Sequence, residues 1–180
     1  MTSWKTLARR TVLDKGRFLR VEDHKVRLPD GRIIPDWPWV VTPDYANVVA
    51  VDPAGRFLCF RQTKYAVKGR TLSLVGGYLE PGEKPAAAAR RELLEESGCR
   101  ASDWSFLGRF RVDSNRGAGT AHLYLARGAR PVAAIASDDL EAQQMLWLTR
   151  PQLDQALDRG AFRVLAWTTA IALALRRLDR

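Results

Sequence analysis

Residues 76–99 read Gly76-Gly77-Tyr78-Leu79-Glu80-Pro81-Gly82-Glu83-Lys84-Pro85-Ala86-Ala87-Ala88-Ala89-Arg90-Arg91-Glu92-Leu93-Leu94-Glu95-Glu96-Ser97-Gly98-Cys99. Paired glycines and a Pro-Gly turn feed a short Ala-rich helix, expected over Pro85–Ser97. Proline is tolerated in a first helical turn, and Gly98 is placed to end the helix. Glu92 and Glu96 are four apart and Glu92 and Glu95 three apart, so all three project towards one side of the last turns. Like charges at that spacing cost the helix stability, and carboxylates at its C-terminus oppose the dipole. A Glu-rich helix is ordinarily a solvated face. Here a tight glycine loop precedes it whose backbone can approach something closely. The arrangement calls for a cation among the acids.

The flanking chain mixes strands and helices. Residues 18–28 alternate loosely, Pro29-Asp30-Gly31 supplies a hairpin turn, and Asp36-Trp37-Pro38-Trp39-Val40-Val41 continues extended. Asn47–Val51 and Arg56–Gln62 read as apolar strands around the turn at 52–55, and Thr71–Val75 as a short strand entering the glycines. Downstream, Trp104–Val112, His122–Ala126 and Gln144–Leu148 read as strands, Pro151–Asp158 and Phe162–Arg177 as helices. There is no regular βαβ alternation, which predicts an α+β fold. Residues 1–44 are expected to form a small N-terminal β-subdomain that mediates dimerisation, and 45–180 the main domain.

A chain of 180 residues can bury a real core. Its two cysteines, Cys59 and Cys99, lie in apolar contexts and read as reduced thiols of a cytoplasmic protein. His24 and His122 are too isolated for zinc spacing. The N-terminal residues lack a signal-type apolar run, and Val164–Leu175 is too short to span a membrane. The formal net charge of +9 suits an anionic small substrate or a nucleic acid, and does not separate them.

Gly77, five residues, Glu83, seven residues, then Arg91-Glu92-Leu93-Leu94-Glu95-Glu96-Ser97-Gly98-Cys99 matches the Nudix box at every defining position, and the chain resembles the Nudix hydrolases on that ground. The resemblance implies an α/β/α sandwich around a mixed sheet and Mg²⁺-dependent hydrolysis of a pyrophosphate bond, with Mn²⁺ as a substitute. It implies Glu92, Glu95 and Glu96 as metal-binding and catalytic acids, and the Gly76 carbonyl as a further ligand. Arg91 resembles the motif arginine that orients a glutamate, and Glu83 a supporting acid. Glu141, in the acidic stretch Asp138-Asp139-Leu140-Glu141, is the candidate general base.

Three features resemble the ADP-ribose and nucleotide-sugar pyrophosphatase branch: the N-terminal strands, Arg61-Gln62-Thr63-Lys64-Tyr65, and the distal order of acidic loop, strand and two helices. Arg61 and Lys64 are expected to hold phosphate oxygens. Trp37 or Trp39 is a candidate to stack on a base, and Arg116, in the loop 115–120, to contact substrate. The strand before the box, Leu72-Ser73-Leu74-Val75, departs from that branch, which leaves related nucleotide sugars and other dinucleotides open beside ADP-ribose. The expected protein is a homodimer acting on a small nucleoside diphosphate derivative. The alternatives are an RNA 5′-end or nucleoside triphosphate pyrophosphohydrolase, and a catalytically inactive ligand sensor.

Overall fold

A computed structural model describes residues 3–136 and 142–180. The chain divides into two compact units, Met1–Asp44 with Phe110–Thr120 and Tyr45–Arg109 with Ala121–Arg180. In the first, β1 (Lys5–Asp14), β2 (Arg20–Arg27) and β3 (Ile33–Val41) make an antiparallel sheet in that order. Asp30 stabilises the β2–β3 turn by accepting hydrogen bonds from the Arg32 backbone N–H (3.0 Å) and side chain (2.6 Å). Alternation places Glu22, His24 and Val26 on the buried face of β2, whereas β1 is exposed along its whole length. A strand with both faces wet carries no period-two signal, which is why β1 was not legible in the sequence.

The second unit contains β4 (Tyr45–Val51), β5 (Phe57–Lys64), β6 (Val67–Ser73), β7 (Val75–Tyr78), α1 (Pro85–Ser97), β8 (Cys99–Arg100), β9 (Asp103–Arg111), β10 (Thr120–Arg127), β11 (Arg130–Pro131), β12 (Gln144–Leu148), α2 (Arg150–Asp158) and α3 (Leu165–Leu178), β9 and β10 each reaching one or two residues into the first unit. Its main sheet runs β12-β5-β4-β10-β9, with β6 on β5 and β7 on β4; β8 pairs with β11. Strand β10 is parallel to β4, while β7 and β12 pair antiparallel with their neighbours, so the sheet is mixed.

Strand β4 is buried on both faces, and its alternation sorts the core into two layers. Val49 and Val51 pack with Leu153 of α2 and Ala170, Ile171 and Ala174 of α3. Ala46, Val48 and Ala50 pack with Ala88, Ala89 and Leu93 of α1. Helices therefore cover both faces of the sheet, an α/β/α sandwich within an α+β chain. Burying a side chain such as Leu93 contributes about 2–3 kcal/mol, and Leu93 is fully buried. This anchors α1 against the sheet.

Local chemistry sets the helix ends. Gly98 closes α1 with φ 66°, and its N–H donates to Leu94 O at 2.8 Å. Helix α2 opens on a capping box: the Gln152 N–H donates to Thr149 Oγ1 and the Thr149 N–H to Gln152 Oε1. Among the described residues, no helix is long and apolar enough to cross a membrane.

Candidate active site

Strand β7 and the C-terminal half of α1 bring the box acids together. The Gly76 N–H donates to Glu96 Oε2 at 2.9 Å, tying the helix end to the strand. Gly77 allows the second contact: a Cβ there would lie 2.6 Å from Glu92 Cδ and 2.8 Å from Glu92 Oε2. Only a glycine lets the Glu92 carboxylate rest against this strand.

Arg91 organises the remaining acids. Its Nε and Nη2 donate to the two oxygens of Glu83 at 3.0 and 2.9 Å, a fork only arginine makes. Its Nη1 donates to Glu92 Oε1 at 2.8 Å and Glu95 Oε2 at 2.9 Å, and its Nη2 to Tyr78 O at 3.2 Å. The cation that the crowded acids call for is thus supplied in part by this guanidinium, a role wider than orienting one glutamate. Glu83 also accepts from the Glu80 N–H at 3.0 Å, which fixes the loop ahead of α1.

These contacts divide the acids electrostatically. Hydrogen bonds from Arg91 hold the Glu83 carboxyl below the usual carboxylate range. Burial pushes Glu92 above it, and Arg91 offsets that only in part. The Arg91 guanidinium is raised further by its bonds to Glu83 and Glu95. A buried carboxylate whose charged form is disfavoured by its surroundings is a group short of positive charge.

The donor set here is all oxygen: the carboxylates of Glu92, Glu95 and Glu96, and the backbone of Gly76. Such donors fit a hard divalent cation. Among the described residues, no three His, Cys, Asp or Glu side chains already converge on one point. Arg91 and the Gly76 N–H hold the acids instead.

Comparison with known proteins agrees with this geometry. The NUDIX domain model matches residues 41–168, with α1 and its glycine loop inside the match. The chain belongs to the Nudix family. Residues 4–40 match a second model, the nucleoside diphosphate sugar hydrolase N-terminal domain. Among Nudix relatives, the CMP-5′-(N-acetyl-N-hydroxy-3-aminopropyl)phosphonate hydrolase of Streptomyces rubellomurinus is 30% identical over 162 residues, covering 90% of this chain and 77% of its own. The ADP-ribose pyrophosphatase of Bacillus subtilis is 27% identical over 122 residues, covering 68% of this chain and 65% of its own. The crystal structure of an ADP compounds hydrolase superposes with a TM-score of 0.82 at 18% identity, covering 99% of this chain and 96% of that one, a likeness of fold. The protein is a Nudix pyrophosphohydrolase.

The other expected site residues lie as follows. Arg61 is exposed on β5 and donates to Gln144 Oε1 at 3.2 Å. With Arg70, Gln62 and Thr63 it lines a basic cleft of about 340 Å³. Lys64, after a register shift in β5, is not among that cleft's lining residues. In the N-terminal unit Arg116 lies over Trp37, 5.2 Å from the ring centroid, and the Trp37 Nε1–H donates to Asn115 O at 3.2 Å. Trp39 stacks on His24 at 5.0 Å, and Gly117 packs against its indole nitrogen. Loop and tryptophans therefore form one assembly in which each ring has a face engaged. Glu141 lies outside the described residues.

Two features escaped the sequence reading. Arg70 adds a second arginine beside Arg61. A cleft of about 330 Å³ beside the box is lined by Tyr45, Asn47, Gly76, Gly77, Tyr78 and Trp167. The available signal was Asn47, a polar residue inside the apolar run of β4, which reads as core by periodicity alone.

Proposed function

We propose that this Nudix pyrophosphohydrolase cleaves, with Mg²⁺, the pyrophosphate bond of a nucleoside diphosphate joined to a second moiety, ADP-ribose or a nucleotide sugar. The observation that carries the reading is Glu92: buried, held against Gly77, raised by desolvation and grouped with Glu95, Glu96 and the Gly76 backbone. The match of residues 4–40 supports the nucleoside diphosphate sugar class. So do the relatives, one a hydrolase of a CMP-linked phosphonate and one an ADP-ribose pyrophosphatase.

Glu92, Glu95, Glu96 and the Gly76 carbonyl would hold the cation. When bound, it neutralises phosphate charge and lowers the pKa of an attacking water. The protein's own work is positioning. Arg91 keeps Glu92 and Glu95 at fixed rotamers, Glu83 fixes Arg91, and the Gly76 N–H fixes Glu96. The arginines at Arg61 and Arg70 supply the positive field that draws a diphosphate.

The reading includes a cytoplasmic homodimer. Strand β1 is exposed throughout and carries Leu7, Val12 and Leu13 with 37%, 56% and 40% of their surface accessible. A small sheet with such a strand gains from a partner. Light scattering coupled to size exclusion checks the dimer. A hydrolysis panel of ADP-ribose, ADP-glucose, GDP-mannose, dGTP and 5′-triphosphorylated RNA checks the substrate class. Turnover confined to the last two would replace the nucleotide-sugar reading.

A further inference from the structure

Strands β8 and β11 form a two-residue ladder in which Arg100 stands directly opposite Arg130. Opposed residues share a face with their Cβ atoms about 5 Å apart, and like charges there are destabilising. Both arginines are exposed, and among the described residues neither side chain has a hydrogen-bond or ion-pair partner. The acids flanking Arg100 in sequence are engaged elsewhere, Asp103 by Arg127 and Glu96 by the Gly76 N–H. The pair mirrors the crowded acids of α1: charges of one sign held together, calling for a ligand of the other.

Arg100 lines a cleft of about 340 Å³ together with Arg90, Leu94, Ala101 and Trp104. The Arg90 guanidinium lies over the Trp104 indole, 4.8 Å from the ring centroid. Contacts on other sides fix that ring: its Nε1–H donates to Ala101 O at 3.2 Å, and it packs T-shaped against Tyr124 with centroids 6.4 Å apart. Arginine forks bind phosphate oxygens in pairs, and nucleobases stack on guanidinium planes and aromatic faces. Clustered guanidinium groups beside an apolar, aromatic wall complement a base that carries a phosphate. The cleft is separate from the box acids. At 3.6 residues per turn, Glu92 and Glu96 project about 200° and about 240° round α1 from Arg90. Leu94, four residues on, shares the Arg90 side.

We propose that this cleft is a second nucleotide-binding site, in which Arg100 and Arg130 hold a phosphate monoester while Arg90 and Trp104 seat the base. A free mononucleotide and the 5′-phosphorylated end of a nucleic-acid strand both carry that group. The site does not depend on the hydrolysis reading above.

Isothermal titration calorimetry in EDTA tests it on wild type, on Arg100→Ala combined with Arg130→Ala, and on Arg90→Ala. The probes are AMP, which has no pyrophosphate bond to cleave, and a six-nucleotide deoxythymidine strand with and without a 5′-phosphate. Wild type should bind, and the double variant should bind at least about tenfold more weakly for want of two charge-assisted contacts. Without ligand, the double variant should keep or raise Tm, because it removes a like-charge pair. AMP bound as tightly as the phosphorylated strand, or more so, assigns the free nucleotide. Tighter binding of the phosphorylated strand assigns the strand end.

Failure of wild type to bind AMP or the strand at millimolar concentration overturns the proposal. So does unchanged affinity in the double variant, strand binding indifferent to its 5′-phosphate, or equal binding of polyglutamate. A clear fall in the ligand-free Tm of the double variant overturns it in favour of a structural role for the pair. If the double variant does not fold, unchanged affinity in Arg90→Ala does the same.

Discussion

Replacing Gly77 with alanine adds a single methyl group at the point where strand β7 meets the Glu92 carboxylate. The backbone there has no positive φ, so alanine is conformationally allowed. The new Cβ would stand 2.6 Å from Glu92 Cδ, where ordinary contact begins at 3.4 Å. Relief requires the carboxylate to move by about 1 Å, a misplacement that costs on the order of 100-fold in rate at a reacting centre. That corresponds to about 2.7 kcal/mol of transition-state stabilisation. The atoms struck are the far end of a side chain, so the fold itself should hold and Tm should change little. The assay is kcat/KM for ADP-ribose with saturating Mg²⁺, run beside a thermal melt. A Gly77→Ala enzyme within about threefold of wild type would refute the claim that the position of Glu92 matters.

Other substitutions probe the neighbours. Glu92→Gln should abolish activity yet leave thermal stability equal or higher at pH 7 without divalent cation. Glu92's pKa is raised by burial, so its ionisation costs stability as pH climbs from the unfolded-state value through the folded one; a clear drop in Tm would contradict this. Arg91→Lys loses the fork on Glu83 and the bonds to Glu92 and Glu95, with an expected cost of about 2–4 kcal/mol by urea denaturation. Part of that cost should vanish in acid: Glu83 is depressed, so its contribution is present above its unfolded pKa and lost as pH falls through the folded one. Thr149→Ala should cost about 1 kcal/mol through the α2 cap, with activity unchanged. Cys59, its thiol pushed up to about 12 by burial, should resist a thiol reagent until the protein is denatured.

Much of the second unit was legible because its signals were local. Helix α1 runs Pro85–Ser97 as expected, since Pro85 and Gly98 mark its ends chemically. Other boundaries moved where tertiary contacts decided them. The strand expected over Thr71–Val75 is two, β6 and β7, broken at Leu74, because β6 pairs with β5 and β7 with β4. Helix α3 begins at Leu165 rather than Phe162, whose side chain is buried in the core ahead of the helix. The two-residue strands β8 and β11 carry no periodicity to read.

At the site, the box spacing announced the acids but not the contacts among them. The Arg91–Glu95 pair sits at i,i+4 helix spacing, but the grip of Arg91 on Glu83 follows from the fold of the loop over α1. That Gly77 must lack a side chain follows from where β7 passes Glu92. Asn47 stands out in the sequence only as a polar residue inside an apolar run, and its place beside the cleft shows only in the fold.

The central claim is that these acids serve cleavage of a pyrophosphate bond. The direct measurement is product analysis by anion-exchange chromatography after incubation with ADP-ribose and Mg²⁺, with EDTA and Glu96→Gln as controls. The account predicts AMP and ribose 5-phosphate in equal amounts, with both controls reducing their formation by orders of magnitude. Release of those products at near wild-type rate by Glu96→Gln, or products that leave the pyrophosphate bond intact, would contradict it.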